Sequence, residues 1–136
     1  MKPPAKIRIK FLRGSISGLV AQRWRSLTTR DIGAARQFNI SMLHESLPPR
    51  TSAPDVVHLK TAELVYLTRG TITALLNGKR FLFKEGDYFV IPAGMHHRFE
   101  AGEESVEAFS IFLPPLDPLD LDARLVFKRK EKPGSR

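Results

Sequence analysis

The chain has 136 residues, enough for a single domain, and its composition of 42% hydrophobic and 26% charged residues is that of an ordinary globular protein. It contains no cysteine, which excludes disulfides, thiolate metal sites and a cysteine nucleophile. No apolar run approaches the roughly 18 residues of a membrane span, and no signal-peptide pattern follows the basic N-terminus. We therefore expect a cytoplasmic protein without a membrane anchor.

The net charge of +8 is concentrated at the two ends of the chain. Residues 1–30 carry a net charge of +8 and residues 124–136 carry +5, whereas residues 31–123 carry −5. Binding of a nucleic-acid groove also needs a rigid element facing the bases, and binding of a single strand needs a row of aromatic residues. Only Phe11 and Trp24 lie among the N-terminal basic residues. A solvated arm, or one packed on a partner subunit, is better supported than nucleic-acid binding.

Residues 1–36 are predicted to form a basic N-terminal arm. Within it, charged and apolar side chains alternate from Lys6 to Leu12, a pattern typical of an edge strand in this chain or in a second subunit. Thr29 or Asp31 could cap a short helical turn ending near Arg36.

From residue 37 the pattern becomes one of short strands and turns. The first strand is predicted over residues 37–43, with Phe38, Ile40 and Met42 on its buried face, and a proline-marked loop follows at residues 45–54. Further strands are predicted at residues 56–60, 63–68, 71–76, 79–84, 88–91, 97–100 and 106–113. Asn77-Gly78 is the strongest hairpin signal, because both central residues of a type I′ turn need positive φ.

Strands of this length and spacing predict an all-β fold, a sandwich or a barrel. A jelly-roll barrel leaves an interior that can hold a small ligand. We assign the barrel to residues 37–115 and a basic C-terminal tail to residues 116–136.

Seven residues at fixed spacing resemble the two sequence motifs of the cupin superfamily: His58, Glu63 and Gly70 in the first, and Gly86, Pro92, Gly94 and His97 in the second. The resemblance implies a double-stranded β-helix, or jelly-roll, barrel. It also implies a metal site, since metal-binding cupins use two histidines and a glutamate of the first motif and the histidine of the second. The first of those histidines is replaced here by Val56, so the resemblance leaves at most three ligands.

The three remaining residues are His58, Glu63 and His97. Two imidazoles and a carboxylate suit Fe(II), Mn(II), Ni(II) or Zn(II), with coordination positions left for water or substrate. The alternative is a metal-free, hydrogen-bonded cluster of the same residues in a binding pocket. Alternation along the strands predicts the other pocket-lining residues: Phe38, Ile40, Met42, His44, Val56, Lys60, Val65, Leu67, Phe99 and Ala101.

Three functions fit this pattern. The first is a small metal-dependent enzyme, of the dioxygenase, isomerase or lyase type, acting on a small polar molecule. The second is a non-catalytic sensor or binding module for a sugar or carboxylate, without metal. The third is a structural or assembly protein that uses the barrel for dimerisation. A homodimer is expected in any of them, since cupin-like barrels commonly dimerise.

Overall fold

The prediction of an all-β fold is confirmed in a computed structural model that describes residues 8–116 and 124–125. In these residues the strands, numbered along the chain, are β1 Ala21–Trp24, β2 Leu27–Asp31, β3 Ser41–Leu47, β4 Val56–Val57, β5 Ala62–Arg69, β6 Thr71–Leu76, β7 Lys79–Lys84, β8 Tyr88–Ile91, β9 His97–Ala101, β10 Val106–Leu113 and β11 Arg124–Leu125. Two short 3₁₀ helices cover Ile16–Gly18 and Gly33–Phe38. None of the helices in the described residues is long and apolar enough to cross a membrane.

The strands form two antiparallel sheets. The first has the order β1-β2-β3-β10-β5-β8, and the second has the order β11-β4-β9-β6-β7. Strands that follow one another in sequence therefore often lie in different sheets, which is the arrangement of a jelly roll.

The core lies between the two sheets, where alternate residues of each strand point inward. On β5 the inward residues Val65 and Leu67 are 2% and 0% exposed, and on β6 Ile72 and Ala74 are equally buried. Outward neighbours such as Tyr66 remain exposed. This period of two is the pattern that made the sequence recognisable as β-structure.

Gly70 is the single residue between β5 of the first sheet and β6 of the second. Its φ of +81° belongs to the left-handed region, and a Cβ atom built there would lie 2.4 Å from the carbonyl oxygen of Ser105. Only glycine meets both requirements at this corner.

The predicted N-terminal arm contributes more to the fold than we expected. β1 and β2 form a hairpin, and β2 pairs with β3, so the larger sheet begins at Ala21. Its edge strand is β1 and not the alternating segment from Lys6 to Leu12. Residues 8–12 are not in a strand, and the main chain of Lys10 instead exchanges hydrogen bonds with the side chain of Gln37 at 2.6 and 3.2 Å. Lys6 and Ile7 lie outside the described residues.

Two further boundaries differ from the predictions. The strand expected at residues 37–43 begins only at Ser41, because the 3₁₀ helix Gly33–Phe38 ends in the left-handed residue Asn39 (φ 59°). Most of the tail assigned to residues 116–136 lies outside the described residues, but Arg124–Leu125 pairs with β4.

Replacement of Gly70 by alanine should destabilise the protein more than replacement of Gly78, whose φ is +84° but whose Cβ would meet no atom within 4 Å. Both variants carry the backbone strain of a left-handed alanine, on the order of 1 kcal/mol, and Gly70→Ala adds a clash costing on the order of 1–3 kcal/mol. Urea unfolding of the two variants would measure the difference. Equal losses would show that the Ser105 carbonyl moves aside freely.

Candidate metal centre

The structure brings His58, Glu63 and His97 together inside the barrel. The Oε1 atom of Glu63 lies 3.6 Å from Nε2 of His58 and 3.4 Å from Nε2 of His97. All three residues are buried, with exposed fractions of 8%, 3% and 3%. One potential ligand atom from each residue lies within 4.8 Å of the others.

His97 is held in place by hydrogen bonds that involve the two residues before it. It is the first residue of β9, and its Nδ1–H donates to the carbonyl oxygen of Met95 at 3.0 Å. The preceding residue, His96, exchanges two hydrogen bonds with the hairpin residue Asn77, through the Asn77 side chain at 2.9 Å and its N–H at 2.8 Å. The turn at Asn77-Gly78 therefore anchors the chain just before the site.

His58 follows directly after β4, so the short strand and contacts from neighbouring segments position it. The N–H of Gly94 donates to the His58 carbonyl oxygen at 2.7 Å, which joins the two motifs through their backbones. The His58 ring packs edge-on against Phe112, with ring centroids 5.5 Å apart, and lies 5.3 Å from the His97 ring. Phe112 thus closes the site on the side of β10.

Glu63 enters the site from the inward face of β5. Phe112 lies directly opposite it on β10, and Ile91 lies opposite it on β8. A carboxylate among such neighbours loses its hydration, and this costs free energy unless a proton, a cation or a donor compensates it. The two imidazoles are placed to do so.

The hydrogen bond to Met95 fixes the tautomer of His97. A carbonyl oxygen only accepts, so Nδ1 carries a proton, and in the neutral ring Nε2 then has its lone pair directed at Glu63. Burial by itself lowers the pKa of His97. The interaction of its ring with the Glu63 carboxylate, through a hydrogen bond and through charge, outweighs burial and raises that pKa, with smaller contributions from the Met95 carbonyl and the charge of Glu45. A positive charge between Nε2 and Oε1 is therefore favoured, whether a proton or a metal ion supplies it.

The donor set fits a divalent metal ion. It combines two imidazole nitrogens with a carboxylate oxygen, and the Nδ1–H of His97 has the carbonyl partner typical of metal-bound histidines. Val56 lies directly opposite His97 across β4 and β9 and is 6% exposed. A fourth protein ligand is thus absent at that position, and the group can offer three.

One acidic residue of the interior, Glu45, was not among the residues predicted from the sequence. Its Cα lies opposite Ala108 on β10, and its carboxyl group is hydrogen-bonded to the Ser110 hydroxyl at 2.5 Å. Burial, followed by the charge of Glu63, raises the pKa of Glu45 to about 8, although the hydrogen bond from Ser110 and the charge of His97 act in the opposite sense. The neutral carboxylic acid form of Glu45 is therefore favoured in the metal-free protein.

Glu45 was missed because β3 continues to Leu47, whereas a loop was predicted from residue 45, and because the strand faces the opposite way from the prediction. The buried residues of β10 are Val106, Ala108, Ser110 and Phe112, and their partners on β3 are Leu47, Glu45, Leu43 and Ser41. The alternation of Leu43, Glu45 and Leu47 was the available signal. A shift of one residue moves a whole strand to the other face.

Four of the predicted pocket-lining residues that lie in or just before β3 are misplaced, and the direction of the strand accounts for two of them. Met42 and His44 are on the outer face of β3, where His44 Nε2 lies 3.2 Å from Glu107 and its ring contacts Phe109. Phe38 ends the 3₁₀ helix and is 58% exposed, and Ile40 precedes the strand.

Lys60 is exposed as well, because β4 ends at Val57 and the alternation does not continue past His58. Val65, Leu67 and Phe99 do line a cavity of the barrel, together with Glu45. Val56 is buried beside His97, and Ala101 packs against the core.

Comparison with known proteins gives a consistent result. The family profile described as "Cupin domain" matches residues 43–112. No curated protein is significantly similar in sequence to the chain.

Similar solved structures share the fold at low sequence identity. A predicted oxalate decarboxylase from Thermotoga maritima is 20% identical, with a TM-score of 0.67 over 74% of this chain and 97% of that one. The polyketide cyclase RemF from Streptomyces resistomycificus is 18% identical, with a TM-score of 0.72 over 89% of each chain. A variant of Streptomyces PAC13 with uridine is 11% identical, with a TM-score of 0.74 over 87% of this chain and 92% of that one.

Replacement of Glu45 by glutamine should stabilise the metal-free protein at alkaline pH. A carboxyl group whose pKa is raised on folding stabilises the protein fully below its unfolded pKa of 4.5, and this contribution is lost as the pH rises to about 8. The wild type should therefore lose on the order of a few kcal/mol from this group between those values, and Glu45→Gln should not. Chemical unfolding at pH 6 and pH 9, after treatment with a chelator, measures both. Parallel pH profiles of the two proteins would contradict the assignment.

Proposed function

Because the chain belongs to the cupin family, we propose that its barrel binds a divalent metal ion through His58, Glu63 and His97. We further propose that the protein is a small metal-dependent enzyme acting on a small polar organic molecule. The ion bound there would supply a Lewis acid or an oxygen-activating centre.

The orientation of His97 is the observation that carries this proposal. Its Nδ1 is committed to Met95, so the lone pair of Nε2 and the charge of Glu63 meet at 3.4 Å in a buried place. Two electron-rich atoms at that distance need a cation between them. A divalent ion fills that need and also uses the third donor, His58 Nε2, which lies 3.6 Å from the same oxygen.

The rest of the site would control access and orientation. Phe112 covers the His58 ring, and Val56 fills the position opposite His97, so both limit the approach of water from the sheet sides. The protein contributes three ligands, which leaves coordination positions for oxygen atoms of a substrate. Substrates with a carboxylate, hydroxyl or carbonyl group suit such positions.

Similar proteins support the class of function without selecting one reaction. Their names include a sugar phosphate isomerase from Silicibacter pomeroyi, a predicted oxalate decarboxylase and a polyketide cyclase. All are cupin-fold proteins whose names are those of enzymes. Without a metal, the same barrel would be a binding module for a small molecule. The metal content of the protein separates this alternative from a metal-dependent enzyme.

Metal content should distinguish a metal-dependent enzyme from a metal-free binding module. Purified protein dialysed against Mn(II) or Zn(II) should retain one ion per chain, and His97→Ala should weaken the binding by about 100-fold or more because it removes a ligand. His96→Ala is the matched control, since the neighbouring side chain is exposed. Elemental analysis and calorimetry measure both. A wild type that retains no ion would leave only the metal-free binding module.

Metal binding should also be coupled to a proton. The raised pKa of His97 favours a proton on Nε2, and the metal has to displace it. The affinity should therefore fall by about tenfold per pH unit below the pKa of His97. Calorimetry in two buffers of different ionisation enthalpy measures the released proton. An affinity that does not change between pH 5 and pH 7 would exclude His97 as a ligand.

Replacement of Val56 by histidine should strengthen the binding. Val56 faces His97 across the strand pair, where directly opposed side chains are about 5 Å apart. A histidine there offers a fourth donor, and we expect a gain on the order of tenfold in affinity. Val57→His, on the opposite face of the same short strand, is the control. Equal affinities of the two variants would show that the metal lies elsewhere.

A further inference from the structure

We propose that the free edge of β8 is a docking site for residues 8–12 of a second copy of this chain. Each copy would add this segment as a strand to the larger sheet of the other, so the contact is exchanged reciprocally about a twofold axis. This interface needs no metal ion and is therefore independent of the function proposed above.

The β8 strand is an open edge of the larger sheet. It pairs with β5 on one side, and no strand in the described part of the chain pairs with its other side. The other terminal strands of the two sheets, β1, β7 and β11, each contain lysine or arginine, and such charges protect an edge against pairing. β8, with the sequence Tyr88-Phe89-Val90-Ile91, has no charged residue and no proline. Of these four edges, it is the one best suited to accept another strand.

The outward surface beside this edge is apolar. Four outward side chains of β5 and β8 are 37% to 72% exposed: Leu64, Tyr66, Tyr88 and Val90. The outward surface of the second sheet instead carries the ion pairs of Glu100 with Arg80 and Arg98. A sheet face in contact with water is normally polar, so the surface along β8 is suited to burial against a partner.

Residues 8–12 have the sequence pattern of a strand but no strand partner in their own barrel. Arg8 and Lys10 alternate with Ile9 and Phe11, which is the pattern of an extended chain with one apolar face. Among the described residues this segment pairs with no strand, and Ile9 and Phe11 are 50% and 88% exposed. The segment thus presents an apolar face that its own barrel does not cover.

The hydrogen bonds of Lys10 leave the neighbouring backbone groups for a partner. The N–H and the carbonyl oxygen of Lys10 are both bonded to the side chain of Gln37. In an extended chain, the backbone groups of successive residues point to opposite sides. Those of Ile9 and Phe11 therefore point away from Gln37, on the side where an added strand pairs.

The anchor at Gln37 also selects a second copy over the chain's own β8. Gln37 lies in the 3₁₀ helix just before β3, and β8 is three strands away from β3 in the sheet order. Strands about 4.8 Å apart put that edge roughly 14 Å from β3. A segment held at Lys10 cannot span this distance with its own residues 8–12, whereas a second copy can bring its β8 edge to the segment.

Charge favours the same pairing. Residues 1–30 have a net charge of +8 and residues 31–123 have a net charge of −5, and Glu85 and Asp87 directly precede β8. The basic arm of one copy is therefore attracted to the acidic body of the other. The alternation also puts Ile9 and Phe11 on one face of the added strand, where they can lie beside Tyr88 and Val90.

Sedimentation equilibrium of the full chain tests the interface. The wild type should form a dimer, and Phe11→Asp and Val90→Lys should each raise its dissociation constant by at least about tenfold, because each puts a charge into the apolar contact. Leu82→Lys is the matched control, since Leu82 is an outward residue of the edge strand β7 and is 74% exposed. This variant should dimerise like the wild type.

Disulfide cross-linking tests the contact itself, because the chain contains no cysteine. Phe11→Cys protein is mixed with Val90→Cys or Tyr88→Cys protein under mild oxidation, and mass spectrometry detects the mixed disulfide. Opposed residues of paired strands lie within the Cα distance of about 4.4–6.8 Å that a disulfide needs. We expect a mixed disulfide with at least one of the two β8 variants and none with Leu82→Cys.

Three results would overturn the proposal. The first is a wild type that sediments as a monomer at every concentration. The second is a dimer that neither Phe11→Asp nor Val90→Lys weakens, since its contact then lies elsewhere. The third is a dimer that Val90→Lys weakens and Phe11→Asp does not, with no mixed disulfide, which would show that two β8 edges pair directly without residues 8–12.

Discussion

The buried carboxylate of Glu63 is the constraint on which the rest of the interior depends. Its neighbours across the sheet are Phe112 and Ile91, and an isolated charge beside them would cost several kcal/mol. The fold compensates by bringing the Nε2 atoms of His58 and His97 within 3.6 Å of the same oxygen. Two inward side chains of the second sheet are thus arranged around a carboxylate of the first.

Backbone hydrogen bonds make this arrangement precise, because side chains on short strands would otherwise be poorly fixed. The Gly94 N–H joins the second motif to His58, and Asn77 holds the main chain of His96. The turns near the site therefore have a structural role that extends beyond reversing the chain. Gly70 also has a structural role, because it lets the chain pass close to the carbonyl of Ser105 at the corner between the sheets.

The two interior acids have different environments. Glu63 faces two imidazoles, so its charge is compensated. Glu45 has a hydroxyl partner, and burial together with the charge of Glu63 raises its pKa to about 8. One acid is thus placed beside two potential metal ligands, whereas burial opposes the ionisation of the other.

The sequence by itself determined the fold class, the hairpin at Asn77-Gly78 and the group of His58, Glu63 and His97, because periodicity and motif spacing are local properties of the chain. It did not determine the direction of β3, since both faces of that strand carry apolar residues. Only pairing with β10 decides whether Met42 or Leu43 faces the interior. For the same reason His44 was predicted to line the pocket. Glu45 was assigned to the proline-marked loop that follows, although β3 continues to Leu47. The hairpin of β1 and β2 was hidden by the basic composition of its segment, whose hydrogen-bonding partner, β3, only the folded chain brings alongside. Which side chains share the interior was thus decided by pairing between distant strands.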